Sequence, residues 1–129
     1  MTIKEKNFMA KIAIVLHAEP GTHDSMGRAV HSLIYAKELK EAGHQVQLIF
    51  DGGGTGWVVE LNKEDHLLHP LFKEIRDAGL ITGACDFCID AFEVNKQEVR
   101  EAKVTPISEY MGHPSIAKLI GEGYQVLTL

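Results

Sequence analysis

The sequence predicts an α/β fold with a mostly parallel sheet sandwiched by helices, and three observations carry that prediction. Strand-like and helix-like stretches alternate about five times along the chain. The first strand-like stretch, Ala10 to His17, is almost continuously apolar and rich in β-branched residues, the pattern of a strand covered on both faces. Glycines and prolines punctuate the helical stretches where starts and stops are needed. The 129 residues fit a single domain, 1–129, with 1–9 expected as a loosely attached segment. At 45% hydrophobic and 24% charged, the composition is that of a globular chain with a core large enough to dispense with disulfides.

Each element has a local reason. Ala18 to Gly27 carries Pro20 and Gly21 among polar residues and reads as a loop. Arg28 to Ala42 reads as a helix, because Ala29, Val30, Leu33, Ile34, Ala36 and Leu39 form a broad apolar stripe and Gly43 supplies a stop. Ser25 or Asp24 is its expected N-cap. Gln45 to Phe50 is the second strand, ending at Asp51 and running into the glycine-rich loop Gly52-Gly53-Gly54-Thr55-Gly56-Trp57. Pro70 belongs at a helix start, since inside one it costs ~3 kcal/mol. The stripe Leu71, Phe72, Ile75, Ala78 follows, closed by Gly79. Leu80 to Ala84 is the third strand and delivers Cys85-Asp86-Phe87-Cys88. Asn95 with Glu98 starts a short helix to about Ala102. Lys103 to Ile107 is a fourth strand weakened by Pro106. Pro114 opens a last helix with apolar Ile116, Ala117, Leu119 and Ile120, and Tyr124 to Leu129 is the terminal strand.

The net charge of −5 provides no basic face for nucleic acid or an anionic membrane. No run approaches the ~20 apolar residues of a membrane span, and the mixed-charge start lacks a signal peptide's pattern. Two cysteines in Cys-x-x-Cys spacing without an export signal point to a cytoplasmic, reducing compartment. There such a pair is more often redox-active or metal-binding than structural.

Ligands gather at the carboxyl edge of a parallel sheet. His17, Asp51 with its glycines, and Cys85 each end one of the first three strands, and His113 follows the fourth. A thiolate opening a helical turn is stabilised by unpaired backbone N–H groups. Cys85 is therefore the expected nucleophile, near the rim, with Cys88 one turn inside as a resolving thiol. No metal is expected, because a closed zinc site needs four ligands and one Cys-x-x-Cys gives two. His17, His23 or His113 would have to supply the rest, and no second pair has metal-like spacing. No cofactor is expected either, since both the G-x-G-x-x-G and the G-x-x-x-x-G-K-[ST] patterns are absent. Asp51, Gly52, Gly53, Gly54 and Thr55 offer backbone N–H groups to an anion. His17, His23 and His113 offer acid–base or anion contacts, His17 foremost. The plainer reading of each lone histidine is a hydrogen-bonded or solvated side chain, and of the glycines a turn.

The order strand–His17–loop–helix, a glycine-rich loop, Gly83-Ala84-Cys85-x-x-Cys88 after the third strand, Gly112-His113-Pro114-Ser115 and a closing Gly123-Tyr124-Gln125-Val126 strand resembles the DsrE/DsrF-like (DsrEFH-like) family over about residues 10 to 129. The resemblance implies a three-layer α/β/α sandwich with a five-stranded parallel sheet, assembled as a homotrimer or hexamer. It also implies sulfur-relay chemistry, in which a cysteine carries sulfur as a persulfide between donor and acceptor proteins. On this chain the sulfur-bearing position is then Cys85. Cys88 departs from the single-cysteine arrangement of relay subunits and permits an internal disulfide that discharges the sulfur. Two functions are thus expected: a sulfur carrier or sulfurtransferase-like protein, or a non-catalytic oligomeric module binding a small anionic or nucleotide-like ligand at the carboxyl edge.

Overall fold

Five strands run parallel in the order β4-β3-β2-β1-β5. They are β1 Lys11–Leu16, β2 Gln45–Phe50, β3 Ile81–Cys85, β4 Pro106–Ile107 and β5 Gln125–Thr128. This computed structural model describes residues 8–129, so most of the expected loose segment 1–9 lies outside the described residues. The helices are α1 His23–Glu41, α2 Gly56–Leu61, α3 His69–Asp77, α4 Asp86–Ala91, α5 Lys96–Glu101 and α6 Ile116–Gly121. The first three crossovers each step to a neighbouring strand, whereas β4 returns across the whole sheet to place β5 beside β1. Right-handed crossovers in opposite directions put their helices on opposite faces.

Side-chain alternation shows the two faces. Ile12, Ile14, Leu16, Val46, Leu48 and Phe50 point into a cluster with residues of α1, α2, α3, α4 and α5. Ala13, Val15 and Ile49 point the other way, onto Leu119 of α6, joined by Ile107, Tyr124 and Val126. The result is an α/β/α arrangement of unequal layers, and β1 is apolar from Ile12 to Leu16 because both its faces are covered there.

Besides the shortened β4 and an α6 that starts at Ile116 rather than at Pro114, two elements differ from the sequence expectation. Helix α1 begins five residues before Arg28, capped by Thr22 rather than by Asp24 or Ser25. Thr22 Oγ1 accepts the N–H of Ser25 at 3.0 Å and Ser25 Oγ accepts the N–H of Thr22 at 3.2 Å, a reciprocal capping box. The first turn is polar, so hydrophobic periodicity does not reveal it; Asp24 instead pairs with Arg28 at 2.7 Å. The second difference is the glycine stretch. Gly52–Thr55 is a 3₁₀ turn, not a loop, and leads directly into α2. A Cβ on Gly54 would overlap the Leu16 carbonyl oxygen, and one on Gly53 would fall 2.6 Å from Glu19 Cβ. Glycine is needed here because the turn presses on the end of β1. Trp57 of α2 then donates its indole N–H to the Ala18 carbonyl at 2.8 Å, pinning the chain that follows β1.

Pro70 is the second residue of α3, as a helix start requires. Strand β4 shrinks to Pro106–Ile107 at the sheet edge, where a missing N–H costs no ladder bond.

Candidate functional site

Register brings the strand ends side by side. Leu16 pairs with Phe50 and Phe50 with Ala84, so the residues that follow them, His17, Asp51 and Cys85, leave the sheet in a row. His113 arrives from the segment between β4 and α6. The three strand-end residues and His113 therefore converge on the carboxyl edge.

A connected chain of polar contacts links them. His17 Nε2 lies 3.4 Å from Asp51 Oδ2. Asp51 Oδ1 accepts the Gly52 N–H at 2.8 Å and faces the Cys88 thiol at 3.5 Å. Cys88 Sγ is 3.8 Å and Cys85 Sγ 3.0 Å from His113 Nδ1. Cys85 is the N-cap of α4, and its sulfur accepts the Cys88 N–H at 3.4 Å, the amide contact that a helix-opening cysteine predicts. Asp51, Cys85, Cys88 and His113 offer donor atoms all within 4.8 Å of one another.

The electrostatics correct one expectation. Cys85 was expected near the rim and Cys88 inside, but Cys85 is 0% exposed and Cys88 6%. The cause is a turn from Tyr110 to His113, closed by paired backbone bonds of 2.8 and 2.9 Å. Met111 and Gly112 have φ of 49° and 83° in it. The Gly112 carbonyl accepts the Phe87 N–H at 3.0 Å, and the His113 ring packs 4.8 Å from that of Phe87. This lid of backbone and imidazole removes Cys85 from water. Burial, reinforced by the Cys88 thiol, pushes the Cys85 thiol up to about 12, outweighing the N–H contact that lowers it. The resting thiol is protonated, not a free thiolate. Asp51 goes the opposite way: its His17 contact holds it at about 2 against burial, helped by the Gly52 N–H and the Cys88 thiol.

The remaining expected residues take other places. Gly53, Gly54 and Thr55 are buried, and the turn uses its own groups. Gly54 N–H donates to the Asp51 carbonyl at 2.8 Å and the Thr55 hydroxyl to Gly52 at 2.8 Å. With the Gly52 N–H on Asp51, the turn orients that carboxylate. His23 is exposed on the first turn of α1, and the thiol contacts go to Asp51, His113 and Gly112 instead. Beside His17 opens a cleft of about 360 Å³ lined also by Ala18, Arg28, Thr128 and Leu129. Sequence reasoning missed the covering role of Phe87 and the 110–113 turn; the only signal was Gly112 before His113. It also counted metal ligands by spacing, whereas Asp51 and His113 stand 37 and 25 residues from Cys88.

Fold and site together define a parallel α/β protein with paired thiols, a carboxylate and an imidazole gathered at the carboxyl edge of its sheet. A profile of the DsrE/DsrF-like family matches residues 10–129, and the chain belongs to that family. It is 32% identical over 100 residues to an uncharacterized protein of Methanocaldococcus jannaschii, with 78% of each chain covered. No solved structure gives a significant match. Among the described residues no helix is long and apolar enough to cross a membrane.

Proposed function

We propose that the chain is a small sulfur carrier, with Cys85 as the persulfide site and His113 as its proton acceptor. The observation that carries this reading is the 3.0 Å contact between Cys85 Sγ and His113 Nδ1, in a family whose members suggest a sulfur-relay role. Cys85 gives its proton to His113 and attacks the outer sulfur of a donor persulfide. That S–S bond breaks, the donor thiolate leaves with the proton, and Cys85 becomes a persulfide. An acceptor thiol then takes the outer sulfur and restores the Cys85 thiol. Alternatively Cys88 attacks the inner sulfur, which forms a Cys85–Cys88 disulfide and expels hydrosulfide.

Access requires the 110–113 turn to lift. Tyr110, Met111 and Phe87 are exposed there, and a donor or acceptor protein docking on them would displace it. Homotrimeric or hexameric assembly and a cytoplasmic setting complete the reading. The test is intact-mass analysis after incubation with a low-molecular-weight persulfide. The chain or its Cys88→Ser variant gains one sulfur atom and Cys85→Ser gains none; no added sulfur in either of the first two, under conditions that load an established carrier, overturns the proposal.

A second reading rests on the cleft beside His17, where the imidazole and Arg28 offer contacts to a small anionic or nucleotide-like ligand. Thermal stabilisation by such a ligand that survives Cys85→Ser favours it. Unchanged melting across a panel of phosphates and nucleotides removes it.

A further inference from the structure

We propose that Asp51, Cys85, Cys88 and His113 form a binding site for one zinc-type divalent cation. Ligands of a tetrahedral zinc ion, at the usual 2.0 to 2.3 Å from the metal, stand about 3.3–3.8 Å from one another. The contacts here are 3.0 Å for Cys85–His113, 3.5 Å for Cys88–Asp51 and 3.8 Å for Cys88–His113, with every donor atom within 4.8 Å of the others. The three contacts already stand within about half an ångström of those separations, and donor shifts of up to about an ångström gather all four into a coordination shell.

The donor chemistry selects the ion. Two thiols, an imidazole and a carboxylate are a borderline-soft set of four, suited to zinc. Calcium and magnesium require six or more oxygens, and only one donor here is an oxygen. The supports also match. The donors come from the ends of two strands, the first turn of α4 and the closed 110–113 turn, so each is set by backbone structure. Asp51 has Oδ1 toward Cys88 while its other oxygen meets His17, the arrangement by which a second residue orients a metal-binding carboxylate. His113 presents Nδ1 to both sulfurs, so coordination through that nitrogen places the ring proton on Nε2.

The proton balance is simple. Each thiol that coordinates gives up its proton to solvent as the ion takes its place on sulfur. The bound ion takes the Cys85 lone pair that the sulfur-carrier reading uses for attack. If that reading holds, the metal-bound and sulfur-loaded states exclude each other; the metal site itself does not depend on it.

Cobalt(II) added to the reduced full-length chain is the probe. The expected result is one cobalt per chain, with the strong visible bands of a tetrahedral site and thiolate-to-metal charge transfer, all displaced by zinc. Cys85→Ser and Cys88→Ser, checked for folding by circular dichroism, each lose most of the charge-transfer intensity. His17→Ala keeps all four donors and weakens zinc by roughly 10–100-fold. A folded wild type that leaves cobalt with the spectrum of the aqua ion overturns the site, and so does a spectrum unchanged by either cysteine variant. Because the readout is optical and needs no sulfur donor, it fails or succeeds separately from the loading experiment.

Discussion

Burial holds the Cys85 thiol protonated, well above the ordinary cysteine range. Cys85 therefore needs a base at the moment of attack, and His113 is the group in contact with it. His113→Phe keeps a ring over the sulfur but removes the nitrogen. Its expected effect is a loss of roughly 10²–10⁴-fold in the sulfur-loading rate, followed by time-resolved intact-mass analysis; an unchanged rate removes His113 from the mechanism. Gly54 carries a separate residue-scale prediction. Gly54→Ala drives a methyl into the Leu16 carbonyl, so urea denaturation should show a loss of about 1–3 kcal/mol or more. The positions of the site residues were legible as strand ends: His17, Asp51 and Cys85 each close an apolar run. The burial of Cys85 was not, because the turn that covers it, Tyr110 to His113, has no hydrophobic period and is held by backbone bonds.

Helix starts supply the element-scale tests. Removing the Thr22 hydroxyl opens the capping box of α1, and Thr22→Ala should cost about 1 kcal/mol in the same denaturation assay. At α6, Glu109 accepts the Ser115 N–H at 2.9 Å and pairs with Lys118 at 2.7 Å, tying the covering segment to the helix. Lys118 foremost, then the Ser115 N–H, holds the Glu109 carboxyl below its ordinary 4.5. A carboxyl depressed in the folded state contributes stability above the unfolded value, and that contribution fades as pH falls through the folded one. The melting-temperature gap between wild type and Glu109→Gln should accordingly be present at neutral pH and close as pH falls below the ordinary 4.5 of a glutamate. A gap that persists at low pH assigns the loss to something other than ionisation. The strands and helices α3, α5 and α6 were readable from apolar runs with glycine and proline stops, whereas α4 was read only as a helical turn after Cys85. Helix α2 and the start of α1 were not: four glycines in Gly52–Gly56 read as a loop by propensity, and only the close approach to β1 makes them a turn.

At the scale of the molecule, the two sheet faces are unequally covered, five helices against the short α6. On α6, Ile116 and Ile120 lie one turn apart and are exposed, and Leu127 of β5 is exposed as well. Contact with further copies would bury them, and analytical ultracentrifugation should give three or six times the chain mass; a monomer at micromolar concentration contradicts assembly. The alternation of strand and helix made the layered architecture legible from sequence, and the single long return from β4 to β5 explains its asymmetry. What the fold adds is convergence, since no local pattern announces that Asp51 and His113 meet both thiols. The sulfur-carrier account depends on that convergence and is tested most directly by the lifetime of the loaded sulfur. After removal of the persulfide donor, mass spectrometry should find the sulfur on Cys85, lost quickly from wild type as hydrosulfide and retained far longer in Cys88→Ser. No added sulfur in either protein, or sulfur that loads equally in Cys85→Ser, contradicts the account.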